Sequence, residues 1–328
     1  LTKAIRAVRH NGIADSLASF YERFVATSAA SAHEPSREGT ANRDEIAHHY
    51  ATTAELIAEL GPVAGVPGDI VDRALHWLIL AADRSSEQHY MKSAVRLATR
   101  GLDLLGEEVD ERHVPAMVKL CLVRAAAYVE QRNTARARAD LDRVLRSSAL
   151  SGDLESEAEA RRILGTVVRL GGNLPGARGE FSEAVRLHRQ VGKPLKLARA
   201  LRDRAFVELL GGDLQLAEGL LDEAEQLTKG GADAIGLAWV EWHRAWLSFI
   251  SGDLVQAEER LARAEQTMNE LGDRGGLGWV RGLLAYVRYY QGRSDEASSL
   301  ADLVLGERSE EHTSELQSLA YLVCRLLL

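Results

Sequence analysis

The sequence predicts an all-α fold, a solenoid of antiparallel helix pairs. Three observations carry that expectation: an internal repeat with a period of forty residues, a composition of good helix formers, and no alternating strand pattern. Alanine, leucine, arginine and glutamate dominate and lose little side-chain freedom on entering a helix, while aromatic residues make up only 5% of the 328 residues.

The repeat comes first because fixed-period self-similarity decides the architecture. Four segments align without a gap: GGNLPGARGEFSEAV from Gly171, GGDLQLAEGLLDEAE from Gly211, SGDLVQAEERLARAE from Ser251 and QGRSDEASSLADLVL from Gln291. Their turn positions are Gly172, Gly212, Gly252 and Gly292; Arg132 stands one period earlier, in QRNTARARADLDRVL. Glycine there tolerates a left-handed backbone and ends the first helix of each pair. Asn133, Asn173, Asp213 and Asp253 follow, where a short polar side chain caps the free amides of the second helix.

The second helix then carries small, large and small residues on one stripe. The first small set is Ala137, Ala177, Ala217, Ala257 and Ala297; the large set is Leu141, Phe181, Leu221 and Leu261, with Ala301 the exception. Val144, Ala184, Ala224, Ala264 and Val304 complete it, and Ala125, Gly165, Ala205, Ala245 and Ala285 supply a small residue in the first helix. Close packing of two helices requires such a stripe.

These positions resemble the tetratricopeptide signature, most closely through Leu164, Gly165, Gly172, Ala177, Phe181 and Ala184. The resemblance covers residues 118–307 and implies a right-handed α-solenoid. Arg161 stands where that family has a tryptophan, the proline after the second helix is absent, and forty residues exceed the usual repeat of about 34. Longer helices are expected.

The front half is read more coarsely. Val71–Leu105 forms a diverged pair with Ala94, Ala98 and Gly101 on its stripe. Arg43–Val63 is an amphipathic helix stopped at Gly61-Pro62. This stretch is similar to the junction between an ATPase module and its repeats in actinobacterial AAA or STAND regulators, often fused to a class III adenylate or guanylate cyclase. Asp15–Ala26 resembles the short helix closing such an ATPase, and Ser31–Asn42 reads as a polar linker. The expected organisation is residues 1–43 as the end of a preceding module with a linker, 44–113 as a helical junction, 114–307 as five repeats, and 308–328 as a non-native tail. Arg308–Ser318, RSEEHTSELQS, resembles translated sequencing adapter, and a start at Leu1 fits a piece of a longer protein.

Composition narrows the function classes. A net charge of −8 argues against a nucleic-acid coat, despite 34 Arg beside 6 Lys. Cys121 and Cys324 are too few and too far apart for a disulfide scaffold or a metal site, which fits a reducing cytoplasm. No long apolar run predicts a membrane span. A phosphate-binding loop is missing, since the only Gly-Lys, Gly192-Lys193, is followed by Pro194. Gly61–Asp69 lacks a lysine and reads as a helix–helix loop. His48 and His49 point about 100° apart on a helix; with His76, His188 and His243 they read as solvated or packed histidines. The run Glu155–Arg162 reads as a solvated helix face. No catalytic, cofactor or metal residue is assigned.

One constellation remains. The tetratricopeptide resemblance assigns certain first-helix positions to the concave face of the array. Here these are Lys119, Arg162, Arg169, Arg199 and Arg202, then Phe206, Trp239, Trp242, Trp246, Phe249, Trp279, Tyr286 and Tyr289. Two readings stand: the rings pack between neighbouring helices as core, or they line a groove with an arginine end and an aromatic end. The groove would take a protein or peptide partner or a conjugated anionic small ligand. The first reading of function is a non-catalytic binding module of a multidomain bacterial regulator, touching an upstream ATPase in the same chain. The alternatives are a fragment of a cyclase or ATPase whose catalytic domains lie upstream, and a scaffold or transcription activator.

Overall fold

A computed structural model describes residues 2–30 and 38–306. Fourteen α-helices and no strand occur among the described residues, and the chain divides into two compact units. One unit is 1–87 with 92–124; the other is 125 onward with the short segment 88–91.

The first unit opens with α1 (Lys3–Ala30) against α2 (Glu38–Leu60). The expected short helix at 15–26 is therefore part of a 28-residue helix. The reason lies in its buried stripe: Ala7, Asn11, Ala14, Ala18 and Tyr21 face inward while Ile5, Val8, Ile13 and Phe20 stay exposed. Small residues, not large ones, mark the packed face. α2 starts within the segment read as linker, of which residues 31–37 lie outside the described residues. It ends as expected at Gly61, whose φ of 77° stops the helix. The diverged pair is α3 (Ile70–Glu87) and α4 (Met91–Leu105), with Ala94 and Ala98 fully buried. Gly101 is needed there, because a Cβ would meet Leu120 Cδ1 at 2.7 Å.

After α5 (Val114–Glu130), the second unit continues with α6 (Thr134–Ser151), α7 (Leu154–Leu170), α8 (Leu174–Val191), α9 (Pro194–Gly211) and α10 (Leu214–Gly230). α11 (Ala234–Ile250), α12 (Leu254–Glu270), α13 (Arg274–Tyr290) and α14 (Ser294–Gly306) complete it. Successive helices pack in antiparallel pairs, α7 with α8, α9 with α10, α11 with α12 and α13 with α14. The turns after α7, α9, α11 and α13 hold Gly172, Gly212, Gly252 and Gly292 at φ between 79° and 84°. Arg132 adopts the same left-handed conformation at φ 58°, without glycine's freedom. Side chains of Asn133, Asn173, Asp213 and Asp253 cap α6, α8, α10 and α12.

A second set of turns was not read from the sequence. Gly152, Gly192, Ala232 and Gly272 also have positive φ, so left-handed residues recur every twenty positions from 132 to 292. From α5 to α13 every helix is consequently 17 or 18 residues long. Equal lengths explain the forty-residue period.

The interfaces within the helix pairs hold the small stripes. Ala177, Ala184, Ala217, Ala224, Ala257 and Ala264 are completely buried, and so are Leu221 and Leu261. The odd-numbered helices also touch one another in succession, α7 to α9, α9 to α11 and α11 to α13. The odd helices therefore share one face. The residues projecting there form the candidate site.

Candidate functional site

α7 contributes Arg162 and Arg169, α9 Arg199, Arg202 and Phe206, α11 Trp239, Trp242, Trp246 and Phe249, and α13 Trp279, Tyr286 and Tyr289. The structure places them in two connected clusters. Lys119 is exposed and belongs to the other unit.

The charged cluster departs from expectation. Arg162 is only 6% exposed, so Glu155–Arg162 is not a solvated face throughout. Its Nη2 donates to Glu159 Oε1 and its Nη1 to Asp203 Oδ2, both at 2.7 Å, and Nε reaches Glu159 Oε2 at 3.1 Å. Burial alone would raise the Glu159 and Asp203 carboxyls, but the Arg162 charge outweighs it and holds both below the usual range. Burial would lower Arg162; its two carboxylates reverse that and raise it. This triad joins α7 to α9 and is an element of structure.

Arg199 and Arg202 differ. Arg199 is exposed, and the neighbouring Arg162 charge lowers its pKa. Arg202 is half-buried, its Nη1 donates to the Gly236 carbonyl at 3.0 Å, and burial lowers it to about 10. The Arg169 guanidinium lies 5.3 Å from the Phe206 ring centre, a cation–π contact linking the two clusters.

The aromatic cluster is continuous. Phe206 stands 5.6 Å from Trp242 and 6.0 Å from Trp246; Trp242 is 5.6 Å from Trp239 and 5.8 Å from Trp279. Trp246 leads to Phe249 at 5.8 Å, and Phe249 to Tyr286 at 6.4 Å and Tyr290 at 5.4 Å. Most contacts are edge-to-face, the arrangement that ring quadrupoles favour. Trp242 is 4% exposed and its Nε1 donates to the Trp279 carbonyl at 3.1 Å, so this ring is floor and core together. Phe206, Trp239, Trp246, Phe249, Trp279 and Tyr286 are partly buried around it, and Tyr289 is half-buried beside the exposed Tyr290.

Sequence reasoning missed Glu159, Asp203 and Tyr290, and it left His243 open between a solvated and a packed histidine; the structure packs it. His243 is buried between Phe206 and Trp242, and its Nδ1–H donates to the Trp239 carbonyl at 2.6 Å. Burial, then the nearby Arg202 charge, pushes it down to about 4. Its position directly after Trp242 was the available signal. No described helix is long and apolar enough to cross a membrane.

No family model and no curated relative matches the sequence. Solved structures do match. Apo RapI aligns with a TM-score of 0.63 at 11% identity, over 80% of this chain and 90% of that one. A tetratricopeptide repeat protein from Parabacteroides merdae aligns at 0.56 and 14% identity, over 95% and 98%. The fold is of the tetratricopeptide type. A STAND protein with a tetratricopeptide repeat sensor, from Pyrococcus horikoshii, aligns at 0.51 and 12% identity over 89% of this chain and 50% of that one. At these identities the likeness concerns the fold alone, so the tetratricopeptide-like face is interpreted from its own side chains.

Proposed function

We propose that this chain is a non-catalytic interaction module of a multidomain bacterial signalling regulator, holding a protein or peptide partner on the face shared by α7, α9, α11 and α13. The observation that carries the reading is the unbroken ring series from Phe206 to Tyr286, partly open across three helices in an aromatic-poor chain. The helix-pair interfaces are already filled by alanine and leucine, whereas partner contacts concentrate on Trp, Tyr and Arg anchors. The STAND protein named above carries a tetratricopeptide repeat sensor, which supports placing this module beside an ATPase in its parent chain.

The test is a selection of displayed random dodecapeptides on the full chain, with Trp246→Ala as counter-target. Selected peptides should lose at least tenfold in affinity for Trp246→Ala while its melting stays close to that of the parent. Trp242→Ala, which removes a core ring, should cost about 3–5 kcal/mol of stability. Peptides binding Trp246→Ala within twofold of the parent would remove the ring face as the binding surface.

A further inference from the structure

We propose that α1 is an acid-released helix: proton uptake by the His10–His49 contact undocks it from α2. The device lies wholly within the first unit and uses no residue of the ring face.

A third histidine joins the adjacent pair His48 and His49. His10, on α1, places Nδ1 2.7 Å from Nδ1 of His49 on α2, with the ring centres 4.9 Å apart. His48 stands edge-on to both rings, 6.2 Å from His10 and 5.3 Å from His49. A hydrogen bond between two ring nitrogens needs a proton on one and a bare partner. The neutral pair meets that condition. A first proton can enter at the far nitrogen of the donating ring and leave the bond intact. A second must take the accepting nitrogen, and two N–H groups then face each other across the 2.7 Å contact.

The surrounding charges oppose that second proton. α1 brings Arg6, and α4 brings Arg96 and Arg100. Arg100 Nη1 lies 3.3 Å from His48 Nδ1, a contact that a protonated ring cannot accept. Most of the carboxylates are already engaged. Glu55 gives its two oxygens to Arg100, at 2.6 and 2.9 Å, and Glu59 bonds Lys3. Asp15 accepts from Asn11, from Tyr50 and from Arg73 of α3. Asp44 is exposed and faces Arg96, and the exposed Glu45 offsets His49 less than burial and His48 oppose it. Burial first, then these like charges, holds His10, His48 and His49 below their ordinary value of 6.5. Once α1 has left, the rings return toward that value. Docking is therefore complete above pH 6.5 and weakens as pH falls below it.

α1 has little else to hold it. Its buried face is Ala7, Asn11, Ala14, Ala18 and Tyr21, while Ile5, Val8, Ile13 and Phe20 stay exposed. Burying alanine removes little apolar area from water. His10 falls between Ala7 and Ala14 on that face, one helical turn from each. The other polar ties of α1 are Lys3–Glu59, Tyr21–Arg43 and the Asp15 set. Among these contacts only the histidine pair consists of imidazoles, the groups that change charge between pH 8 and 5.

Hydrogen exchange of the full chain, read by mass spectrometry from pH 7.5 to 5.0 and corrected for intrinsic rates, tests the release. Residues 3–25 should lose protection at least tenfold, reversibly, while α4 and α5 change less than threefold. His188 and His243 belong to the second unit, so the regional readout separates their titration from this one. His49→Gln keeps an acceptor for His10 but takes no proton, and should cut the loss below threefold. His10→Gln should do the same, whereas His76→Gln, exposed on α3, should leave the full response. Unchanged protection of residues 3–25 in the parent, or an equal loss along the whole chain, overturns the proposal. So does a full response in both glutamine variants. Ring-carbon NMR of the parent is the second measurement, and it decides the matter where a glutamine variant is unprotected already at pH 7.5. The later-titrating ring of the His10–His49 pair should share its midpoint with the loss of protection, and separate midpoints overturn the proposal.

Discussion

Replacing Gly165 by alanine is the most direct test of how these helix pairs close. A Cβ at that position would sit 2.9 Å from Cδ1, Cε1 and Cζ of Phe181. Carbon atoms pack at about 3.5–4.0 Å, so α7 and α8 would have to part or the ring would have to turn. The ring cannot turn freely: Phe181 is 1% exposed and packs with Ala177 and Val207, with Val168 and Leu174 against them. Alanine gains at most about 1 kcal/mol of helix propensity over glycine, whereas overpacking costs about 1–3 kcal/mol. Gly165→Ala should therefore destabilise. Neighbouring pairs show the compensation: Ala205 shares a cluster with Leu221, and Ala245 with Leu261. Phe181→Leu alone should cost about 1 kcal/mol or more through the void it leaves, and combined with Gly165→Ala it should recover most of the loss. Urea denaturation followed by circular dichroism at 222 nm would give the midpoints and the coupling energy, with changes in slope reporting local unfolding of one pair. A higher midpoint for Gly165→Ala, or strictly additive losses in the double variant, would refute the reasoning.

Two further outcomes follow from the buried charges, both read by chemical denaturation. Arg162→Met should cost about 3–5 kcal/mol, because it strands Glu159 and Asp203 without their partner; Glu159→Gln and Asp203→Asn added to it should restore much of that. Both carboxyls titrate below their unfolded values near 4. Their stabilisation is thus complete above about pH 5 and is lost as pH falls toward the folded values, and the triple variant should show a flatter acid limb. His243 is the opposite type of group, a base whose folded value of about 4 lies below its unfolded 6.5. The unfolded chain binds the proton first, so stability should fall by up to about 3 kcal/mol between pH 6.5 and pH 4. His243→Asn, whose amide can still donate to the Trp239 carbonyl, should remove that slope; an unchanged slope would place the titration elsewhere.

The parts of the fold legible in the sequence are those where geometry restricts residue type. A left-handed turn selects glycine, as at Gly172 and Gly212, and close helix approach selects glycine or alanine, as at Gly165 and Ala205. Such constraints repeat as identities. The second turn is less legible because its left-handed position is Gly152, Gly192 and Gly272 but Ala232, which breaks the run in the middle. α1 was read too short because it buries alanine and exposes isoleucine, the reverse of the usual amphipathic signal. In the candidate site, chain position brought the arginines and rings onto one face, but not their burial. Arg162 is buried because Asp203, forty-one residues later on the next odd helix, completes its coordination. Pairing across two helices leaves no local trace, and the same holds for His243, enclosed by Phe206 from the preceding odd helix.

The two kinds of contact also divide the labour of the second unit. Between partners of a pair, the stripe of alanine against leucine or phenylalanine sets the distance, and a single methyl group is felt. Between successive odd helices the contacts are rings and guanidiniums, which reach farther and leave polar atoms such as Trp246 Nε1 without a partner. The proposed recognition face can therefore vary while the alanine stripes continue to hold the stack. The asymmetry between its ends bears on the proposed function: arginines gather on α7 and α9 and partly open rings on α11 and α13, so a partner held there in the proposed way, with one charged and one apolar end, is expected to lie in a single direction.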